Sequence, residues 1–196
     1  MRDEMTATLN IYKWPSQAFW RYFELQALKQ IEYDRPILEI GCGDGQFSSL
    51  VFPEIDEAID VNPRSVEKCR RLANGLYRRV QCLDARELQF SEGGYGTIYA
   101  NCVMEHIPDI QGVLAGCCRG LRPGGKLVIL DVLVPEEGHS NAVEALFDLM
   151  MLVEVPRGST HRVADVLQWI DAADLASPKM HKLYFGTLLE ATAPAR

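Results

Sequence analysis

The amino-acid sequence predicts a single three-layer α/β domain over residues 1–196, built on a mainly parallel sheet. Three observations point there. Short aliphatic and β-branched runs alternate with amphipathic segments of helical spacing. The first of those runs ends directly in a cluster of glycines. Two final strand-like runs meet at one glycine, too tight a junction for a crossover helix, so they pair as an antiparallel hairpin.

Taken in order, the first ten residues look loose, and Pro15 to Ile31, with Phe19, Trp20, Phe23 and Leu28, reads as an N-terminal helix (15–31). Ile37-Leu38-Glu39-Ile40 is the first strand. Residues 57–61, 79–82, 97–100 and 126–132 are the second to the fifth. Pro63 to Leu72 opens with a proline suited to a first helical turn. Ile110 to Leu121 follows Pro108-Asp109 and stops at Arg122-Pro123-Gly124-Gly125. This core spans 35–134. A helical insertion after strand five (139–160) holds an apolar helix, Ala142 to Val155, and then a break at Pro156 to Thr160. Phe147, Leu149, Met150, Met151 and Val153 recur at helical spacing and are expected mostly in the core. A C-terminal helix, Val163 to Leu175, and a hairpin, Met180 to Phe185 with Thr187 to Thr192, fill 162–193.

Composition narrows the function classes. A formal net charge of −7 argues against a phosphate backbone as partner, so no nucleic acid is expected. The longest apolar run, Leu127 to Val134, is interrupted by Asp131 and too short for a bilayer, so no membrane partner is expected. Six cysteines form no Cys-x-x-Cys pair and no histidine lies at ligand spacing, which predicts no metal site. Several fall in apolar runs as small buried hydrophobes. With no apolar stretch after the first charged residues, the expected compartment is the cytoplasm.

The chemistry-bearing feature is Gly41-Cys42-Gly43-Asp44-Gly45. Gly41 permits a turn that side chains disfavour, and Gly43 and Gly45 let a ligand touch the backbone. A helix beginning just beyond would present free N–H groups. A dinucleotide loop places its last glycine at position 46, where this chain has Gln46. Asp60 closes the second strand, where a carboxylate can accept both ribose hydroxyls. Asp84 follows the third strand, within reach of an adenine amine.

These residues resemble class I S-adenosylmethionine (SAM)-dependent methyltransferases. Ile37 to Ser48 is similar to their first signature, Ala58 to Pro63 to the acidic second-strand signature, and Cys82 to Arg86 to the adenine-side one. Asn101 to Asp109 resembles the segment after strand four, and Leu121 to Ile129 the turn into strand five. The resemblance implies a Rossmann-like seven-stranded sheet with an antiparallel last strand, SAM as cofactor and S-adenosylhomocysteine as product. It implies Glu39 and Gly41 near the methionine part, with Cys42, Gly43 and Gly45 completing the loop. Asp60 would take the ribose, Val61 would pack on the adenine, and Asp84 with Ala85 would meet its amine edge. Asn101 would line the methionine side, with Cys102 beside it.

Methyl transfer from a sulfonium depends on holding nucleophile and methyl in line, with a base where the acceptor must lose a proton. His106, just past strand four, is the candidate catalytic base. Natural-product O-methyltransferases carry a catalytic histidine in a similar segment, whereas in many small-molecule methyltransferases the histidine of a Glu-His-Ile/Val-Pro run only packs near the cofactor. Asp148 to Val153 and Gly186 to Thr192 also resemble the tail of natural-product O-methyltransferases, although Pro156 to Arg162 lacks their intact Gly-x-x-Arg-Thr. The expected acceptor is a small molecule methylated at oxygen, and the expected state a monomer or homodimer. The alternatives are a SAM-binding protein without activity and, through the related fold, an NAD-dependent oxidoreductase.

Overall fold

The computed structural model describes residues 2–90, 92–135, 138, 142–154, 160–183 and 185–195. Its centre is a seven-stranded sheet of β1 (Ile37–Ile40), β2 (Ile55–Asp60), β3 (Tyr77–Cys82), β4 (Tyr95–Asn101), β5 (Leu121–Asp131), β8 (Ala176–Lys182) and β9 (Thr187–Thr192). Their order is β3-β2-β1-β4-β5-β9-β8. β1 to β5 run parallel, and β9 lies antiparallel between β5 and β8.

Alternation along the strands explains why both faces are covered, since successive side chains point to opposite sides. Leu38, Ile40, Ile98, Ala100, Leu127 and Ile129 pack with α5 (Ile110–Gly120) and α7 (Val163–Ala172). Ile37, Ala58, Tyr99, Val128 and Leu130 pack on the other face, with Leu25 and Leu28 of α2 (Pro15–Leu28) and Cys69 of α4 (Pro63–Leu72). Strand order reverses between β1 and β4. That switch point opens a crevice at the carboxyl ends of the strands.

Several expectations change. The first ten residues are helical, α1 (Arg2–Ile11), and pack on α2. Gln26 Nε2 donates to Glu4 there, and Thr8 is buried. So short a polar helix is held by tertiary contact rather than by propensity, which is why its pattern was silent. β5 begins at Leu121 rather than Lys126, because the turn at Gly124 (φ +74°) is absorbed into the strand pairing. β2 ends at Asp60, leaving Val61 outside it. α7 ends at Ala172, where Asp174 turns the chain with φ +58°. The outer hairpin strand begins at Ala176, earlier than Met180. It contains Pro178, which an edge strand tolerates beside an irregular register.

The apolar helix α6 (Ala142–Glu154) is not mostly core. Met151 is buried, whereas Leu149, Met150 and Val153 are exposed and Phe147 is half-buried, edge-on to Phe185. β6 (Leu133–Val134) pairs with β7 (His161–Arg162) in a separate two-stranded sheet that hydrophobic periodicity did not announce. The expected break beginning at Pro156 lies outside the described residues. Among the described helices none is long and apolar enough to cross a membrane.

Candidate active-site cleft

At the carboxyl ends of β1, β2 and β4 lies a cleft of about 740 Å³. It gathers Gly41, Gly43, Asp60, Val61, Asp84, Ala85, Cys102 and His106 from among the residues singled out in the sequence. Glu39, Cys42, Gly45 and Asn101 do not line it. They sit behind it and hold its walls.

The glycine loop is shaped by three left-handed residues, Gly41 (φ +74°), Gly43 (φ +56°) and Gly45 (φ +74°). A Cβ on Gly41 would stand 2.3 Å from Val103 Cγ2, and one on Gly45 would meet Ala73 Cβ at 2.7 Å. Gly43 faces open space. Gly41 and Gly45 therefore serve close packing, while Gly43 leaves backbone exposed to a ligand. The helix after the loop, α3 (Ser48–Val51), is a single turn.

Behind the loop, Glu39 is buried. Ser48 Oγ donates to its Oε1 at 2.6 Å and Tyr77 Oη to its Oε2 at 2.7 Å. Burial raises its pKa to about 7, against the lowering pull of those two donors. Glu39 thus braces β1 against α3 and β3. A hydrogen bond with Cys69, and then burial, push the Cys42 thiol far above its usual range, so it stays protonated.

On the nucleoside side, Asp60 Oδ2 accepts from Gly43 N and Oδ1 from Asn62 N, both at 2.8 Å. Val61 is 66% exposed, an uncovered apolar side chain in the cleft wall. Asp84 caps the turn Ala85–Glu87 by accepting from Arg86 N, and the Arg86 guanidinium holds its carboxyl below the usual carboxylate range.

On the opposite side, the turn Met104–His106 follows β4. Cys102 enters it with φ +50°, rare for a residue with a side chain. Arg21 of α2 reaches across to it. Its Nη1 donates to Asn101 Oδ1 at 3.3 Å and contacts Cys102 Sγ at 3.2 Å, and Nε donates to Tyr12 Oη. The guanidinium lies 3.8 Å over the Phe47 ring and pairs with buried Glu24 at 2.6 Å. Asn101 is thereby engaged with α2 rather than turned into the cleft.

His106 lines the cleft with 44% of its side chain exposed, and its Nε2 stands 3.8 Å from Oε1 of buried Glu105. Asp131, at the end of β5, is also buried and accepts from Met104 N and Val132 N. His161 packs edge-on against Trp169 with Nε2 3.2 Å from Met104 O. Sequence reasoning missed Arg21, Glu24 and Glu105. For the first two a signal existed: Ala18, Arg21, Leu25 and Leu28 share one buried stripe, and a charge inside such a stripe needs a buried partner. Among the described residues no group of His, Cys, Asp and Glu is arranged to hold a metal ion.

Residues 38–129 match the family model of a methyltransferase domain. The ubiquinone biosynthesis O-methyltransferase of Pectobacterium carotovorum is 24% identical over 169 residues, covering 81% of this chain and 70% of that protein. Its Xanthomonas oryzae counterpart is 28% identical over 71% of this chain and 62% of that protein, so the chain spans less than two thirds of that relative. Among solved structures, a SAM-dependent methyltransferase from Thermotoga maritima, described as a possible histamine N-methyltransferase, superposes with a TM-score of 0.73 at 15% identity, covering 96% of this chain and 99% of that one. Oxygen and nitrogen methylation are thus both named among proteins of this architecture.

Proposed function

We propose that this chain, which carries a class I SAM-dependent methyltransferase domain, transfers the methyl group to an oxygen of a small-molecule acceptor, with His106 as general base. The observation that carries the reading is His106 itself. It is half-exposed in the same cleft as Asp60, Val61 and Asp84, rather than packed away.

The residues present suit the cofactor. Asp60 keeps lone pairs for a ribose diol after its two backbone bonds, and its orientation is set by them. Val61 offers adenine an apolar surface, with Ala85 and Asp84 at its amine edge. Gly43 exposes backbone in the loop, where a side chain would intrude. Glu39, Cys42 and Gly45 act from behind, keeping the loop in place. When bound, SAM supplies an electrophilic methyl on a sulfonium whose positive charge disappears as the methyl leaves.

His106 accepts the hydroxyl proton as the acceptor oxygen becomes a nucleophile. Cys102 and Val103 shape the wall between cofactor and acceptor. Oxygen is favoured by the ubiquinone O-methyltransferase relatives, whose named reaction is an O-methylation. The cytoplasm suits the six free cysteines, and the chain works as a monomer or homodimer.

The test is incubation with methyl-labelled SAM and parallel panels of phenols, catechols and primary amines, with products located by mass and NMR. Methylation at a phenolic oxygen is expected. His106→Ala should lower kcat on that acceptor about 100-fold with SAM affinity unchanged. Methylation confined to amines, or a His106→Ala enzyme of undiminished kcat, would overturn the reading.

A further inference from the structure

The turn that carries His106 into the cleft is three residues long, and a 3₁₀ turn of that length is held weakly by its own hydrogen bonds. Its first residue is the anchor. The Met104 side chain is buried in the core, whereas the His106 side chain emerges with 44% of its surface exposed. Met104 N donates to Asp131 Oδ2 at 3.2 Å. Met104 O accepts from Ile107 N at 3.1 Å, which closes the turn. A carbonyl oxygen has a second lone pair, and His161 Nε2 stands 3.2 Å from it. Both polar backbone groups of Met104 are therefore gripped by side chains from other elements.

His161 is itself fixed. It is half-buried, and its ring stands edge-on to Trp169 of α7, with centroids 5.2 Å apart and planes at 81°. Its backbone pairs with Leu133 in the β6–β7 sheet. β6 follows Asp131 after Val132, whose N donates to Asp131 Oδ1. The contacts close a ring: Met104 N to Asp131, along Val132 and Leu133, across to His161, and back to Met104 O. Two grips joined through one short sheet give the turn a single seat. A carbonyl oxygen accepts and cannot donate, so Nε2 of His161 carries the hydrogen.

We propose that His161 is a positioning residue for methyl transfer: by donating from Nε2 to Met104 O, it holds the turn that aims His106 at the acceptor's proton. This rests on the reading of His106 as general base. A base works within hydrogen-bond reach of the proton it takes, and a misplacement of about 1 Å can cost about 100-fold in rate. His161 does not line the cleft, so it acts through the turn rather than on a ligand. The cofactor-side residues Asp60 and Asp84 belong to other elements, and their bonds do not depend on it.

The experiment measures turnover of the full chain with methyl-labelled SAM and the phenol or catechol that the wild type methylates fastest. His161→Phe keeps a ring against Trp169 and removes the donor. It should lower kcat about tenfold, with acceptor KM and calorimetric SAM affinity within about twofold of wild type. His161→Gln offers a carboxamide N–H at similar reach and should restore kcat to within about threefold of wild type. In a His106→Ala background, His161→Phe should lower kcat by less than about twofold further, because the loss passes through His106. If Phe prevents folding, seen as loss of cooperative melting and of SAM binding, His161→Ala replaces it and the same comparisons decide. Nitrogen-15 NMR of the wild type at pH 8, with His161 assigned from His161→Gln, should show the hydrogen on Nε2. A hydrogen on Nδ1 would overturn the proposal, as would undiminished kcat in a folded variant without the donor. A loss that Gln does not restore, that adds in full to His106→Ala, or that falls equally on SAM affinity would also overturn it. Wild-type kcat in His106→Ala, or a wild type that methylates no member of the panel, would instead overturn the reading of His106 on which the proposal rests.

Discussion

The two sides of the cleft are held in different ways. On the nucleoside side most of the bonds are local: Asp44 takes Gln46, Asp60 takes Asn62, and Asp84 takes Arg86, each two residues on, with Gly43 N to Asp60 the longer reach. On the side of β4 and β5 they are distant and buried. Arg21 reaches Asn101 and Cys102 across 80 and 81 residues, and Asp131 accepts from Met104 across 27. The first arrangement is a short-range conformational code for a ligand-facing loop. The second is a low-dielectric charge network whose parts are meaningful only together.

Substitutions at the junction of the two sides should have the largest effect. Gly41→Val drives a Cβ into Val103 and forces a branched residue to φ +74°, so it should cost about 3–5 kcal/mol in urea denaturation and abolish SAM binding. Wild-type stability in that variant would show that the loop can move freely against the β4 turn.

Next comes the buried network. Arg21→Met leaves Glu24 buried without its cation and should cost about 3 kcal/mol, with SAM affinity falling less than about tenfold. Adding Glu24→Leu should recover most of that stability. Failure to recover would mean that Arg21 acts mainly by stacking on Phe47.

The contrast also predicts a pH dependence. Burial raises Glu39 to about 7, opposed by Ser48 and Tyr77. Its folded-state value lies above its unfolded one, so its contribution to stability is full below about pH 4.5 and is lost as pH rises through about 7. Glu24 follows the same sign, raised to about 7 by burial against the opposing charge of Arg21. Glu39→Gln should therefore lose less stability than wild type between pH 5 and pH 8, by up to about 3 kcal/mol in urea titrations. Parallel pH curves for the two proteins would contradict this.

This division also explains what could be read from the sequence. β1 running into its glycines, and the places of Asp60 and Asp84 at strand ends, were legible because each signal is contained within a few residues. The paired last strands were legible from one tight junction at Gly186. Arg21 meeting Asn101 and Cys102 was not, because no local pattern encodes a contact 80 residues long. α1 was silent for a related reason, being held by Glu4 against Gln26 and Lys29 of the α2 region rather than by its own propensity. The exposed face of α6 was misread because helical spacing shows which residues share a side, not whether anything covers it.

The smallest effect belongs to the exposed pair at the adenine edge. Arg86→Ala should leave the denaturation midpoint unchanged and alter SAM affinity by only a few-fold, since an exposed ion pair contributes little.

In the proposed function, Asp60 grips the cofactor at the switch point of the sheet. Calorimetric titration of SAM into wild type and Asp60→Ala tests it most directly. One site per chain in the wild type is expected, weakened about 100-fold in the folded variant, as two hydrogen bonds to a charged acceptor would require. Equal affinity in the two proteins, or no binding to wild type, would contradict it.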